Sequence, residues 1–214
     1  MVEIKRESPV RFRVYPTETE VRDNWTVALA YDDEGQGPWL VDLAHKTRWD
    51  LQEGLIDEQR PCDLDVPAEA GGCTMANDTL INRMNRTQAS IYHLGATAPA
   101  LPEISGYTDV TDASVFLALF GPRAFQVAEK LSAMDFMDPT RQAPFLVQGP
   151  FCHVPCQIVT LEKRADGGGG FLLTCSRGYA DSMLHAILGA GAGIGLRPTG
   201  EKRFNTWLHG LQKS

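Results

Sequence analysis

The sequence predicts an α+β fold, antiparallel sheets with helices packed on one face. Three observations predict it. Val115 to Phe120 is an unbroken apolar run, short enough to be a strand buried on both faces. Apolar residues recur at helical spacing at Ala124, Val127, Ala128 and Leu131, then at Ala180, Met183, Leu184, Ile187 and Leu188, and finally at Phe204, Trp207, Leu208 and Leu211. The order of elements from residue 109 onward is strand, helix, strands, helix, helix.

Residues 1–24 are charged and extended in character. Arg11, Phe12, Arg13 and Val14 alternate, as on an edge strand or a docking arm. Trp25–Tyr31 and Trp39–Ala44 are expected strands, and the turn-rich Asp32–Pro38 between them suggests a hairpin with a longer loop. His45–Gly54 is polar apart from Trp49 and Leu51, and Leu55–Gly72 has prolines and acids without a period; both are expected as connections. Leu80–Met84 and Gln88–Leu94 are strand candidates joined by a turn at Asn85-Arg86-Thr87. Gly95–Tyr107, rich in alanine and proline, is expected to link two halves.

The second half opens with the buried run. Gly121-Pro122 follows it, and proline suits the first turn of a helix, where its missing N–H has no partner to lose. Phe145–Val147 and Gln157–Leu161 are expected strands flanking a Gly149-Pro150 corner. Asp166–Gly170 is a turn where glycine permits unusual backbone angles, and Phe171–Cys175 is a strand. Glycines from Gly189 to Gly195 end the following helix. The chain thus divides into a docking arm (1–24), a first α+β lobe (25–100) and a second α+β lobe (101–214).

Composition is that of a globular protein, 43% hydrophobic and 22% charged over 214 residues. The net charge of -7 argues against nucleic acid as a partner, because a phosphate-binding surface must be basic. The apolar runs fall short of the roughly 20 residues of a spanning helix. The N-terminal segment lacks the apolar core of a secretory signal. No membrane is therefore expected and a cytoplasmic location is, with five irregularly spaced cysteines forming a poor disulfide framework.

Four motifs bear on chemistry. The glycine run before Phe171-Leu172 lacks the Lys-Ser or Lys-Thr of a phosphate loop and precedes a strand, so a hairpin turn is preferred. Cys152, His153 and Cys156 offer three metal donors but no fourth ligand, and a packing role is preferred; Cys62 and Cys73 lie in loop, Cys175 on a strand. Asp42 to Asp50 gathers titratable groups. There His45 could move protons, but an Arg48–Asp50 surface pair with Trp49 as core anchor is preferred. No dinucleotide, haem or metal signature is present.

The fourth motif is Asn77 to Arg83. With Trp39–Gln52, Gly71–Gly95, Asp109–Leu131 and Phe145–Glu201 it resembles the folate-dependent aminomethyltransferase (glycine-cleavage T-protein) superfamily. Among its short members it resembles the sarcosine oxidase gamma subunits and the T-protein-like gamma subunits of dimethylamine monooxygenases. The resemblance implies a truncated T-protein-like fold without the C-terminal barrel. It further implies a non-redox gamma subunit of an amine-demethylating oxidase or monooxygenase, inactive alone, partnered by larger redox subunits. Tetrahydrofolate would there capture formaldehyde as 5,10-methylenetetrahydrofolate. Tyr92, Phe171 and Tyr179 would supply aromatic walls for the pterin, and Asn82, Arg83 and Arg177 polar contacts. The chain departs from the family where acids are expected. Asn82-Arg83 stand in their place on the strand, Gly168-Gly169 replace a Gly-Glu-Asp turn, and asparagine cannot act as a general base. A purely structural accessory subunit and a free-standing one-carbon transferase are the alternatives. The arm implies that deleting Met1–Pro16 weakens assembly more than it unfolds the domain.

Overall fold

The computed structural model describes residues 5–97 and 99–212; the first four residues of the arm, one linker residue and the last two residues lie outside it. The described chain holds thirteen strands, three α-helices and five short 3-10 turns. β1 (Glu18–Arg22) and β2 (Trp25–Ala30) form a separate two-stranded ribbon. Six strands build the main sheet in the order β10-β11-β12-β9-β3-β13: β10 (Phe145–Phe151), β11 (Val154–Lys163), β12 (Gly169–Ser176), β9 (Ser114–Gly121), β3 (Trp39–Asp42) and β13 (Arg197–Pro198). Every pairing there is antiparallel except β13 with β3. Five strands build the second sheet in the order β5-β6-β7-β4-β8: β5 (Cys73–Ala76), β6 (Thr79–Asn85), β7 (Gln88–His93), β4 (Arg48–Gln52) and β8 (Tyr107–Asp109). The helices are α1 (Ala124–Ala128), α2 (Ala180–Gly191) and α3 (Glu201–Leu211).

The buried run behaves as its composition dictates. Leu117 and Leu119 face α1 and α2 in one core, while Phe116, Ala118 and Phe120 face a second core on the opposite side. The two longest-spaced apolar stripes follow suit, Met183, Leu184 and Ile187 of α2 entering the first core and Phe204 and Leu208 of α3 the second. α1 and α2 therefore share one face of the main sheet; α3 and the second sheet cover the other. The far side of the second sheet is closed by Ile56 and Val66 from the 55–72 connection, which is irregular but contributes to a third core with Trp49, Leu51, Ile81 and Ile91.

Several local expectations change. β2 and β3 do not form a hairpin: β2 pairs with β1, whereas β3 lies inside the main sheet beside β9. Their burial patterns explain this. In β2 only alternate residues, Trp25, Val27 and Leu29, turn inward, as on a one-sided ribbon, whereas in β3 Leu40 and Val41 are both fully buried and need cover on two faces. Arg48–Gln52 is strand β4 and not loop, and Cys73 sits on strand β5. The expected alternation at Arg11–Val14 is not a strand; the arm's strand is Glu18–Arg22. Gly149-Pro150 lies within β10, and the turn falls at Cys152-His153, whose φ angles are 52° and 64°. β10 is an edge strand, where proline removes no inner ladder bond. Pro122 precedes the helix instead of opening it, because α1 starts only after Arg123 at φ 59°. Gly121 enforces that corner: its φ is +99°, and a Cβ there would lie 2.5 Å from the Trp39 ring.

A boundary near residue 100 does not separate the sheets. β3, from the first half, pairs with β9, and β8, from the second, pairs with β4. No helix among the described residues is long and apolar enough to cross a membrane.

Candidate functional site

Where the two sheets meet, β6, β7 and β4 approach β9, β10, β11 and β12, and a cleft of about 610 Å³ opens between them. Two hydrogen bonds stitch the sheets together beside it. The Tyr92 hydroxyl of β7 donates to Gln157 Oε1 of β11 at 2.8 Å, and Gln148 Nε2 of β10 donates to the Met84 carbonyl of β6 at 2.8 Å. Thr174 Oγ1 of β12 lies 3.4 Å from the same Tyr92 oxygen. On the other flank stand Ser90, Gln88 and Asp50, the last accepting from Gln88 Nε2 at 2.8 Å. The lining is largely apolar, with the side-chain amides of Gln88, Gln148 and Gln157 and the hydroxyls of Ser90, Tyr92 and Thr174 set into it, and Asp50 is its one carboxylate. Such a surface recognises the donor and acceptor edge of a neutral polar ligand.

Arg48 forms the roof and is 1% exposed. Its guanidinium donates to the carbonyls of Lys46 (2.8 Å), Thr111 and Ser114 and to Ser114 Oγ, and it stacks over the Phe116 ring. Burial brings its pKa down to about 10, opposed by nearby acidic groups. The expected surface pair with Asp50 is absent: the guanidinium is buried and taken up by the Lys46 carbonyl ahead of β4 and by the Thr111 and Ser114 carbonyls at the entry to β9. Trp49, as expected, anchors the third core.

Of the six residues the resemblance singles out, only Tyr92 borders the cleft. Burial raises its hydroxyl pKa. Asn82 is fully buried one layer behind, donating to Ser90 Oγ at 3.2 Å and accepting the Cys73 thiol at 3.1 Å. Arg83, 4% exposed, is consumed by Asp57 at 2.5 Å and by the carbonyls of Pro67, Asn85 and Arg86. Phe171 packs among Phe125, Phe136 and Phe151 in the α1/α2 core, on the opposite face of the main sheet. Arg177 donates to the carbonyls of Glu7 and Asp112, and Tyr179 is exposed beyond β12. The six do not form one site, so no step of folate chemistry attaches to them as a set. Gln148, Gln157, Ser90 and Thr174, which the structure brings together, carry no sequence signature: each is an ordinary polar residue on an apolar strand.

Cys156 of β11 and Cys175 of β12 are buried members of the α1/α2 core and also border the cleft. Among the described residues no group of three or more His, Cys, Asp or Glu gathers as a metal would require. The glycine run makes the β11–β12 turn, with Gly168 N–H bonded to Asp166.

No protein-family model matches the sequence, and no curated protein matches it. Its fold does match a solved chain of the heterotetrameric sarcosine oxidase from Corynebacterium sp. U-96 in complex with pyrrole 2-carboxylate, with a TM-score of 0.60, 14% identity, and coverage of 73% of this chain and 84% of that one. The two coverages make that chain comparable in length to this one. At this identity the likeness establishes the α+β fold of antiparallel and mixed sheets, with no closed barrel.

Proposed function

We propose that this chain is a non-redox subunit of a multi-subunit amine-demethylating oxidase or monooxygenase. The observation that carries the reading is the fold shared over most of both chains with one chain of a heterotetrameric sarcosine oxidase. The ordered segments resembling the gamma subunits of that superfamily support it. The cleft between the sheets suits a noncovalent role: its lining offers hydrogen bonds and little to move a proton, with Asp50 already engaged by Gln52 and Gln88. Larger partner chains carry the oxidation in this reading.

Tetrahydrofolate enters as its finer part. Tyr92, Gln157, Gln148 and Ser90 are the residues of this chain that could meet a pterin edge, and the group, when bound, would supply the N5 nitrogen that captures formaldehyde. A second reading, an accessory subunit without folate, is favoured by the full internal engagement of Asn82 and Arg83. Titration of tetrahydrofolate into the chain assembled with its redox partners separates the two. In the first reading Gln157→Leu weakens binding at least about tenfold, the worth of a hydrogen bond left unmade in a buried site, while Arg177→Ala leaves it unchanged. Absence of binding heat leaves the accessory subunit standing. Failure of the chain to co-purify with any flavin- or metal-bearing oxidase subunit from its own cells removes the reading altogether.

A further inference from the structure

The β11–β12 register sets Gln157 opposite Thr174 and Ile158 opposite Leu173, so Cys156 and Cys175, one residue further along each strand, stand opposite each other. Both are buried in the α1/α2 core with Ile158 and Leu173, whereas the alternate residues Gln157 and Thr174 reach Tyr92 on the other face. Residues opposite each other on antiparallel strands have Cα atoms about 4.5–5.5 Å apart, inside the roughly 4.4–6.8 Å that a disulfide spans. Cys73, by contrast, lies in the second sheet and donates its thiol to Asn82 at 3.1 Å. The pair is buried but not sealed off. Both residues border the inter-sheet cleft, whose volume of about 610 Å³ admits a small oxidant.

We propose that Cys156 and Cys175 form a peroxide-oxidisable dithiol that closes to a cross-strand disulfide on the border of the cleft. The co-reactant is a hydroperoxide. The Cys175 thiolate attacks a peroxide oxygen and breaks the O–O bond; the released alkoxide or hydroxide takes up the thiol proton, and Cys175 becomes a sulfenic acid. The Cys156 sulfur then attacks the Cys175 sulfur. The S–S bond forms as the S–O bond breaks, and hydroxide leaves with the Cys156 proton as water. Two thiols are oxidised, and one peroxide is reduced to an alcohol and water, or to two waters when it is hydrogen peroxide. The order of attack follows from the neighbours, because the thiolate is the nucleophile. Cys156 lowers the Cys175 thiol while Cys175 raises Cys156. Burial raises Cys62 and pushes Cys73 up to about 12. Closure restrains Gln157 and Thr174, the next residue on each strand, and so acts on the Tyr92 contacts of the cleft. The chemistry involves this chain and a peroxide alone and does not rest on the oxidase reading.

The test treats the full, folded chain with hydrogen peroxide and follows it by intact mass, by thiol titration after denaturation and by mapping of cross-linked peptides. The expected product is lighter by two hydrogens, has three titratable thiols where the reduced chain has five, and carries a Cys156–Cys175 link that dithiothreitol reverses. In Cys156→Ser the link is lost and dimedone traps a sulfenic acid at Cys175, with a melting curve recorded to show that the variant is folded. Unfolding the parent in urea before oxidation is expected to abolish the preference for this pair. Peroxide that leaves all five thiols titratable overturns the proposal. A link from Cys152 to either residue in the folded chain overturns it too, and so does a folded Cys156→Ser chain without sulfenic acid at Cys175.

Discussion

Glu201 opens α3 with its side chain 1% exposed, and nitrogens from two other segments converge on it: Lys46 at 2.5 Å, Arg22 at 2.7 Å and the His45 ring at 3.0 Å. Burial alone would raise this carboxyl, but the hydrogen bonds from His45 and Arg22 and the charge of Lys46 outweigh it and hold it well below the usual carboxylate range. Burial in turn lowers the Lys46 ammonium against the opposing pull of Glu201. Removing the anion would leave Lys46, itself 2% exposed, without its counter-charge. Glu201→Gln should therefore cost about 3 kcal/mol at neutral pH, within the range for breaking one side of a buried pair. A carboxyl with a depressed folded pKa stabilises the fold above its unfolded value of about 4.3 and loses that contribution as pH falls below it. The parent's stability should accordingly drop more steeply from pH 5 toward acid than the variant's, read by denaturant unfolding at each pH; parallel acid slopes would sink the assignment. Nothing in the sequence announced this cluster. His45 and Lys46 stood out as titratable, but their partner is more than 150 residues away and reads locally as a helix start. A separation of 65 residues likewise hides Gln157 from Tyr92.

At the scale of the element, α3 is set by how closely its first turn can approach β2. Gly200 precedes the helix, and a Cβ there would lie 2.1 Å from the carbonyl of Leu29. Its φ of −87° is one any residue adopts, so the demand is steric and not conformational. Its N–H also donates to Glu34 Oε1 at 2.9 Å, and Glu34 holds Arg203 of α3 at 2.6 Å. Alanine at Gly200 would push the helix from the ribbon and should cost about 2–4 kcal/mol, the overpacking range extended by backbone displacement. Thermal unfolding of Gly200→Ala checks it: a domain of this size loses roughly 2–4 °C per kcal/mol, so an unchanged midpoint would refute the close approach. Elements with an apolar face were legible in advance. β9, β11 and β12, and the cores of α2 and α3, follow from periodicity because burial is what selects those residues. β1, β5 and β8 were not, because they are edge strands or an exposed ribbon; β1 buries none of its five residues fully. They owe their form to pairing with a neighbour, which one-dimensional patterning does not record. In β4 the inward pair Trp49 and Leu51 was present, but Arg48 and Asp50 around it suggested a polar loop.

For the molecule as a whole, the sequence carried the class and not the connections. Strands from each half complete the sheet of the other, so the apparent linker at Gly95–Tyr107 joins parts that the β3–β9 and β4–β8 pairings already interlock. The arm shows the same principle. It reads as a free docking segment because its charges and short alternation have no local partner, yet the described part is fastened to the body along its length. Arg6 pairs with Asp23 and, at 2.7 Å, with Asp112, and it lies over the Trp25 ring; Glu7 O accepts Arg177; Val10 is 7% exposed in the α1/α2 core; Phe12 meets Tyr31. The exposed ion pairs count for little. Val10, however, leaves a gap in a packed core, worth about 1.5–3 kcal/mol for a buried aliphatic side chain, and Trp25 loses its cover. These contacts make the arm part of the fold of the isolated chain. Deleting residues 1–16 should lower the melting midpoint of the isolated chain by several degrees, about 2–4 °C for each kcal/mol lost, whatever it does to assembly. Val10→Ala alone should reproduce part of the fall, and Tyr15→Ala, whose side chain is 93% exposed, almost none. A truncated chain melting with the full-length protein would mean that the arm contributes nothing to the fold and is free to serve a partner.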